Sequence, residues 1–160
     1  MKAHNKEERT LVLIKPDALQ RHLLGDIIHR FERKGLKIIG LKMVEMDNAL
    51  MTAHYGKYSD KPFFKGLTDH MSKSPIVAMA VSGIRAISVT RTLVGQTKGY
   101  EAAPGTIRGD FAISIQSNLV HASDPEENPE EEIMRFFNNN ELFDYQRLDF
   151  GLLYGEEELN

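Results

Sequence analysis

Residues 10–14 (TLVLI) form an unbroken apolar run rich in β-formers, and Lys15-Pro16-Asp17 ends it. Apolarity at every position, rather than every second one, predicts a central strand covered on both faces. Leu24, Ile27, Ile28 and Phe31 then recur at the spacing of one helix face, and Gly35 stands where a C-terminal cap belongs. Residues 36–44 (LKIIGLKMV) predict a second strand, with Lys37 and Lys42 marking a solvent-facing edge or rim. Asp47 or Asn48 caps a short helix running to Tyr55. Lys61-Pro62-Phe63-Phe64 opens another, its proline suited to a first helical turn. After the break at Ser74-Pro75, residues 76–81 (IVAMAV) predict a third buried strand. Ala86, Val89, Thr90 and Leu93 make a further helical stripe that ends at Gly95.

Residues 96–110 are irregular, with Pro104-Gly105 and Gly109; segments of that length inside compact domains are usually functional or disordered. Residues 111–121 alternate weakly and predict a fourth strand near their end. Asn128-Pro129-Glu130-Glu131 reads as a capping box opening a helix whose apolar face is Ile133, Phe136 and Phe137, stopped by Asn138-Asn139-Asn140. Residues 1–8 are expected to be frayed and the acidic end, 156–160, loose. Strands interleaved with amphipathic helices predict an α/β (α+β) sandwich near the split β-α-β, ferredoxin-like arrangement, with a crossover between the first two strands. A chain of 160 residues with 41% apolar content predicts a single domain over 1–160.

Composition narrows the chemistry. The absence of cysteine removes disulfides, thiolate-bound zinc, iron–sulfur clusters and thiol nucleophiles. The N-terminal residues lack a signal-peptide core, and the apolar runs are too short to span a bilayer, which favours a cytoplasmic protein. A net charge of −3 gives no global attraction for nucleic acid, although a local basic pocket remains open. Neither common glycine-rich phosphate cradle occurs, nor H-E-x-x-H, nor G-x-S-x-G.

The densest polar clustering is Arg108-Gly109-Asp110 with Asn118-x-x-His121-x-Ser123-Asp124. A neutral imidazole is a good nucleophile toward phosphorus when its second nitrogen is held by an acceptor, and Glu132 on the next helix is the candidate. Phosphoryl transfer also needs cations, because charge builds on the transferring oxygens. Lys15, Arg91 and Arg108 are the candidates. Lys15 is the most pointed of them, since it abuts a buried strand. Phe63 and Leu67, four apart, suit either an apolar wall for a base or plain core packing. An ordinary strand-end histidine beside a solvated Ser-Asp turn is the competing view of His121.

These motifs resemble the nucleoside diphosphate kinases along residues 9–154. The resemblance rests on Glu8-Arg9-Thr10, Ile14-Lys15-Pro16-Asp17, Gln20-Arg21, Gly25, His54-Tyr55, Lys61-Pro62-Phe63-Phe64 and Gly66-Leu67. It continues through Pro104-Gly105-Thr106-Ile107-Arg108-Gly109-Asp110 and Asn118-x-x-His121-x-Ser123-Asp124. It implies a four-stranded antiparallel sheet covered by helices. It also implies ping-pong transfer of a terminal phosphoryl group between nucleoside tri- and diphosphates through a phosphohistidine at His121. By resemblance, Lys15 touches the transferred phosphate and the sugar hydroxyl, and Arg91, Thr97 and Arg108 clamp the diphosphate. Phe63, Leu67 and Ile115 would sandwich the base, and Asn118 would bind the sugar. Tyr55 would stand beside the nucleophile, with Ser123 and Glu132 supporting it. Mg²⁺ would arrive on the nucleotide, with Asp124 as an outer-shell ligand. The family assembles as hexamers, sometimes tetramers.

The chain departs from the family pattern at Ala122, usually glycine, where a positive φ would cost about 1 kcal/mol or more. It departs again at Ala18, and in the loop Thr97-Lys98-Gly99-Tyr100, which lacks an Asn-Pro pair. Rival readings are a non-catalytic nucleotide module, a phosphohistidine enzyme acting on another substrate such as a protein, and a nucleic-acid binder.

Overall fold

The computed structural model describes residues 4–159. Four strands form one antiparallel sheet in the order β2-β3-β1-β4: β1 (Glu7–Ile14), β2 (Lys37–Val44), β3 (Ile76–Ile84) and β4 (Val120–Ala122). The central β1 has Leu11, Val12, Leu13 and Ile14 fully buried, as a two-sided apolar run requires. Each such side chain contributes about 1.5–3 kcal/mol relative to exposure.

The strand period divides the core into two layers. Val12 and Ile14 face helices α2 (Leu24–Arg33) and α5 (Ala86–Val94), through Ile27, Phe31, Ala86 and Val94. Leu11 and Leu13 face α3 (Asn48–Tyr55), α4 (Phe64–Met71) and α7 (Pro129–Phe136), through Met51, Tyr55, Met71, Ile133 and Phe136. Shorter helices are α1 (Pro16–Gln20), α6 (Ile107–Phe111), α8 (Phe150–Leu153) and α9 (Glu156–Leu159). This is the expected ferredoxin-like sandwich, with β1 and β2 joined by a crossover through α2. Among the described residues, no helix is long and apolar enough to cross a membrane.

Local chemistry explains the boundaries. Asp47, not Asn48, caps α3 by accepting from the Leu50 amide at 2.8 Å. At the end of α2, Gly35 takes φ +92° and the Leu36 amide donates back to Phe31, a six-to-one closure that suits glycine. Asn128 caps α7 by accepting from the Glu130 amide, while Glu131 bonds the Asn128 side chain rather than closing a capping box.

Several expectations are corrected. The strand begins at Glu7, paired with Ile84, so residues 7 and 8 are not frayed; residues 1–3 lie outside the described ones. Glu156–Leu159 is a short helix rather than a loose tail, and the Lys6 Nζ donates to the Glu158 carbonyl; Asn160 lies outside. Pro62 precedes α4 instead of occupying its first turn. Although β2 is an edge strand, Lys37 is 3% exposed, ion-paired to Glu7 at 2.7 Å and bonded to the Tyr145 carbonyl. The irregular segment 96–110 contains the start of α6.

Candidate active site

β4 has only three residues, but its place beside β1 sets the site. Val120 and Ala122 turn into the α2/α5 layer, so His121 between them turns to the opposite layer, toward α3 and α7. His121 is 23% exposed, and its buried Nε2 lies 3.6 Å from Glu132 Oε2. The ring edge left to the adjoining pocket therefore carries Nδ1. Burial is the main influence on the imidazole, reinforced by Lys15 and Arg108, and lowers its pKa despite Glu132. The side chain is therefore neutral at pH 7. Glu132 is 1% exposed. Burial works against its charge, but His121, Ser123 and His54 prevail and hold the carboxyl ionised. Ser123, fully buried, also accepts from the Leu11 amide, which fixes the turn after His121.

The pocket in front of His121 measures about 300 Å³. Lys15, which ends β1, enters it 7% exposed and donates to Asn118 Oδ1 at 2.6 Å. Burial, and then Arg108, push its pKa down to about 8. Arg108 on α6 is 5% exposed and donates to the carbonyls of Asn118, Gly95 and Val120. A guanidinium has five N–H groups, so two remain for a ligand. Burial and Arg91 lower its pKa to about 10. Arg91, exposed on α5, donates to the Ala122 carbonyl. Asn118 is the hub, since its amide also donates to the carbonyls of Thr97 and Ile115, each at 2.9 Å.

Tyr55, Phe63, Leu67, Thr97 and Asp124 complete the predicted lining, joined by Tyr58 and Glu127, which sequence reasoning missed. Phe63 is 54% exposed at the mouth and packs against the Tyr58 ring at 5.7 Å. Three predicted residues do not line the pocket. Ser123 and Glu132 lie behind His121, and the exposed Ile115 contributes its carbonyl to Asn118. Ala122 lies in extended strand and is absent from the positive-φ positions, so alanine costs nothing there. Leu119 bears the strain instead, at φ +72°.

His54, named in the sequence only as part of the His54-Tyr55 motif, was given no role there. It is 2% exposed, and its ring meets that of His121 edge-on at 4.8 Å. Burial, then His121, lower its pKa to about 3. Met51, His54 and Tyr55 share the inner face of α3, so the signal was a histidine in an otherwise apolar stripe.

A family model described as nucleoside diphosphate kinase matches residues 8–142. The chain belongs to the nucleoside diphosphate kinase family. A nucleoside diphosphate kinase of Parabacteroides distasonis is 47% identical over 94% of this chain and 99% of its own. That of Pyrococcus horikoshii is 50% identical over 89% and 93%. Among solved structures, the Halobacterium salinarum nucleoside diphosphate kinase in complex with CDP superposes with a TM-score of 0.90 at 44% identity, covering 93% of this chain and 99% of that one. A Borrelia burgdorferi nucleoside-diphosphate kinase, a transition-state mimic with bound vanadate and ADP, gives 0.84 at 36% identity over 90% and 95%.

Proposed function

We propose that this kinase moves the terminal phosphoryl group of a nucleoside triphosphate onto a nucleoside diphosphate by way of His121. The observation that carries this is the asymmetry of the imidazole: Nε2 is turned to the buried carboxylate of Glu132 and the opposite edge is turned to a cationic pocket. The Glu132 carboxylate, 3.6 Å from Nε2, favours the tautomer with the proton on that nitrogen and so leaves the Nδ1 lone pair free. That lone pair attacks the terminal phosphorus, the bond from phosphorus to the bridging oxygen breaks, and the diphosphate leaves. A second diphosphate reverses the step. Both half-reactions exchange similar bonds, so one site serves both directions.

Lys15, Arg91 and Arg108 place three cations around the phosphates, where charge develops on the equatorial oxygens. Thr97 sits at the diphosphate end. Tyr55, whose buried hydroxyl has no partner, borders the nucleophile. Asn118 orients Lys15 and reaches the sugar, while Phe63 and Leu67 make the base platform, with Ile115 at its edge. Asp124 and Glu127 are the carboxylates of the pocket, and Glu127 is paired with Lys57. Two carboxylates make no all-protein cage, so the donor set fits Mg²⁺ carried in on phosphates, with Asp124 reaching it through water. That ion would neutralise phosphate charge.

We also propose a homo-oligomer, a hexamer by analogy with the family, working on the cytoplasmic nucleotide pool. The test is intact mass after brief incubation with ATP and Mg²⁺, quenched at alkaline pH. The expected result is one added phosphoryl group in the wild type, erased by GDP and absent in His121→Ala. Bound nucleotide without any mass gain would overturn the catalytic reading and leave a nucleotide-binding module.

A further inference from the structure

Beneath His121, on the side away from the pocket, lies a cluster that phosphoryl transfer only partly uses. One donor atom from each of His54, His121 and Glu132 lies within 4.8 Å of the other two. Both nitrogens of His54, Nε2 of His121 and both oxygens of Glu132 are buried without a hydrogen-bond partner. Five such atoms on three neighbouring side chains are costly, because an unsatisfied buried polar group costs about 1–3 kcal/mol. His54 and Glu132 are 98 and 99% buried, being 2 and 1% exposed. From these contacts we propose that His54, His121 and Glu132 form an inhibitory site for a borderline divalent cation of the zinc type.

The donor set decides the class of ion. Two imidazoles and one carboxylate suit zinc, copper or nickel, whereas magnesium prefers hard oxygens and would stay with the nucleotide. The Glu132 carboxylate is buried with no hydrogen-bond partner on either oxygen, which leaves it for a cation to satisfy. The 3.6 Å between His121 Nε2 and Glu132 Oε2 accommodates a shared ion with bonds of about 2.0–2.2 Å. The His54 ring must close onto the same point.

Inhibition follows from proton placement, and it rests on His121 being the nucleophile. A cation on Nε2 keeps a neutral imidazole only if the proton moves to Nδ1. The lone pair that attacks phosphorus is then gone, and the added charge lowers what nucleophilicity remains. The cation and the phosphoryl group therefore exclude each other.

The experiment titrates nucleotide-free protein with chelator-buffered Zn²⁺ by calorimetry. The ¹⁵N resonances of the histidine rings are followed in the same wild-type protein. The expected result is one Zn²⁺ per chain, shifts confined to His54 and His121, and affinity weakened roughly tenfold or more in both His54→Gln and Glu132→Gln. No binding at micromolar free Zn²⁺ overturns the site, as do shifts at other histidines alone. The ring resonances decide the matter even where a variant fails to fold. In a second arm, buffered Zn²⁺ prevents the gain of phosphoryl mass from ATP in the wild type. Phosphorylation that proceeds at saturating Zn²⁺ overturns the inhibitory role. A wild type that binds Zn²⁺ but never gains phosphoryl mass overturns the nucleophile assignment and leaves the metal site standing.

Discussion

Lys15 and Arg108 hold positive charge in a buried pocket before any phosphate arrives, and each is destabilised as a cation by burial and by another cation nearby. A diphosphate reverses that penalty. With the Lys15 pKa near 8 in the free protein, nucleotide binding above pH 8 must take up a proton. Calorimetry of ADP binding at pH 8.5, in buffers of different ionisation enthalpy, should show proton uptake that Lys15→Met abolishes. Affinity should fall as pH rises through 8. Glu132 acts in the opposite sense on His121, since it raises a pKa that burial lowers. In Glu132→Gln the acid limb of the phosphorylation rate should move to lower pH. The plateau should fall roughly 10- to 100-fold, because the tautomer is no longer fixed. An unmoved limb would separate Glu132 from the imidazole. Sequence spacing made His121, Lys15 and Arg108 legible as chemistry, because charge or imidazole beside a buried strand needs a reason. It marked His54 only within the His54-Tyr55 motif and gave it no role, because a histidine on an apolar stripe carries no spacing signal of its own. The roles of Asn118 as hub and of Ile115 through its carbonyl depend on contacts about 20 residues apart or on backbone atoms, which composition does not encode.

At the scale of elements, three segments distant in sequence meet on one carboxylate. Asp17, at the start of α1, accepts from the Leu119 amide at 3.0 Å and contacts His70 Nε2 of α4 at 3.1 Å. The contact with Leu119 matters because a left-handed leucine costs about 1–2 kcal/mol, which the buried side chain and this bond offset. Asp17→Ala should therefore lower stability by about 1–3 kcal/mol in urea melts and raise KM, by loosening α4 and its base platform from β4. Full retention of both would show that Leu119 is held by packing alone. Gly109 makes a second junction: a Cβ there would come within 1.9 Å of the Ala103 carbonyl oxygen. Gly109→Ala should cost about 1–3 kcal/mol and weaken diphosphate binding, because it displaces α6 and with it Arg108. The long helices and three of the strands were legible because each repeats its pattern for two turns or more. α6 was not, since five residues give too little periodicity, and the three-residue β4 was legible only as a strand near the end of residues 111–121. They exist because Leu13, Ile14 and the capping Thr106 hydroxyl supply their partners. Lys37 misled for a related reason: the edge position was read correctly, but Glu7 across the sheet draws the ammonium inward.

For the molecule as a whole, stability and assembly follow from where charge and apolar surface end up. His54 is held neutral with a pKa near 3, whereas an unfolded histidine titrates near 6.5. Between those values the unfolded chain binds more protons, so stability should fall as pH drops below about 6.5. Thermal melts from pH 7 to 5 should show that decline, and His54→Gln should flatten it. Apolar surface argues at the same scale. Among the described residues β2 pairs with no strand other than β3; Phe143 and Tyr145 bond the carbonyls of Ile39 and Ile38, but farther along β2 Leu41 is 49% and Met43 63% exposed. An open edge with apolar side chains is a template for pairing with another strand, and a second copy of this chain supplies one in the same register by two-fold symmetry. Sedimentation velocity should therefore give a mass several times the 18.2 kDa of one chain. Leu41→Lys with Met43→Glu should shift that mass toward the monomer and make the melting temperature lower and independent of protein concentration. The proposed site residues His121, Lys15 and Arg108 converge within one chain, and phosphoryl uptake per chain is expected to survive the dissociation. An unchanged mass would move the contact to another surface, and loss of uptake on dissociation would mean that the pocket needs its neighbour to stay formed.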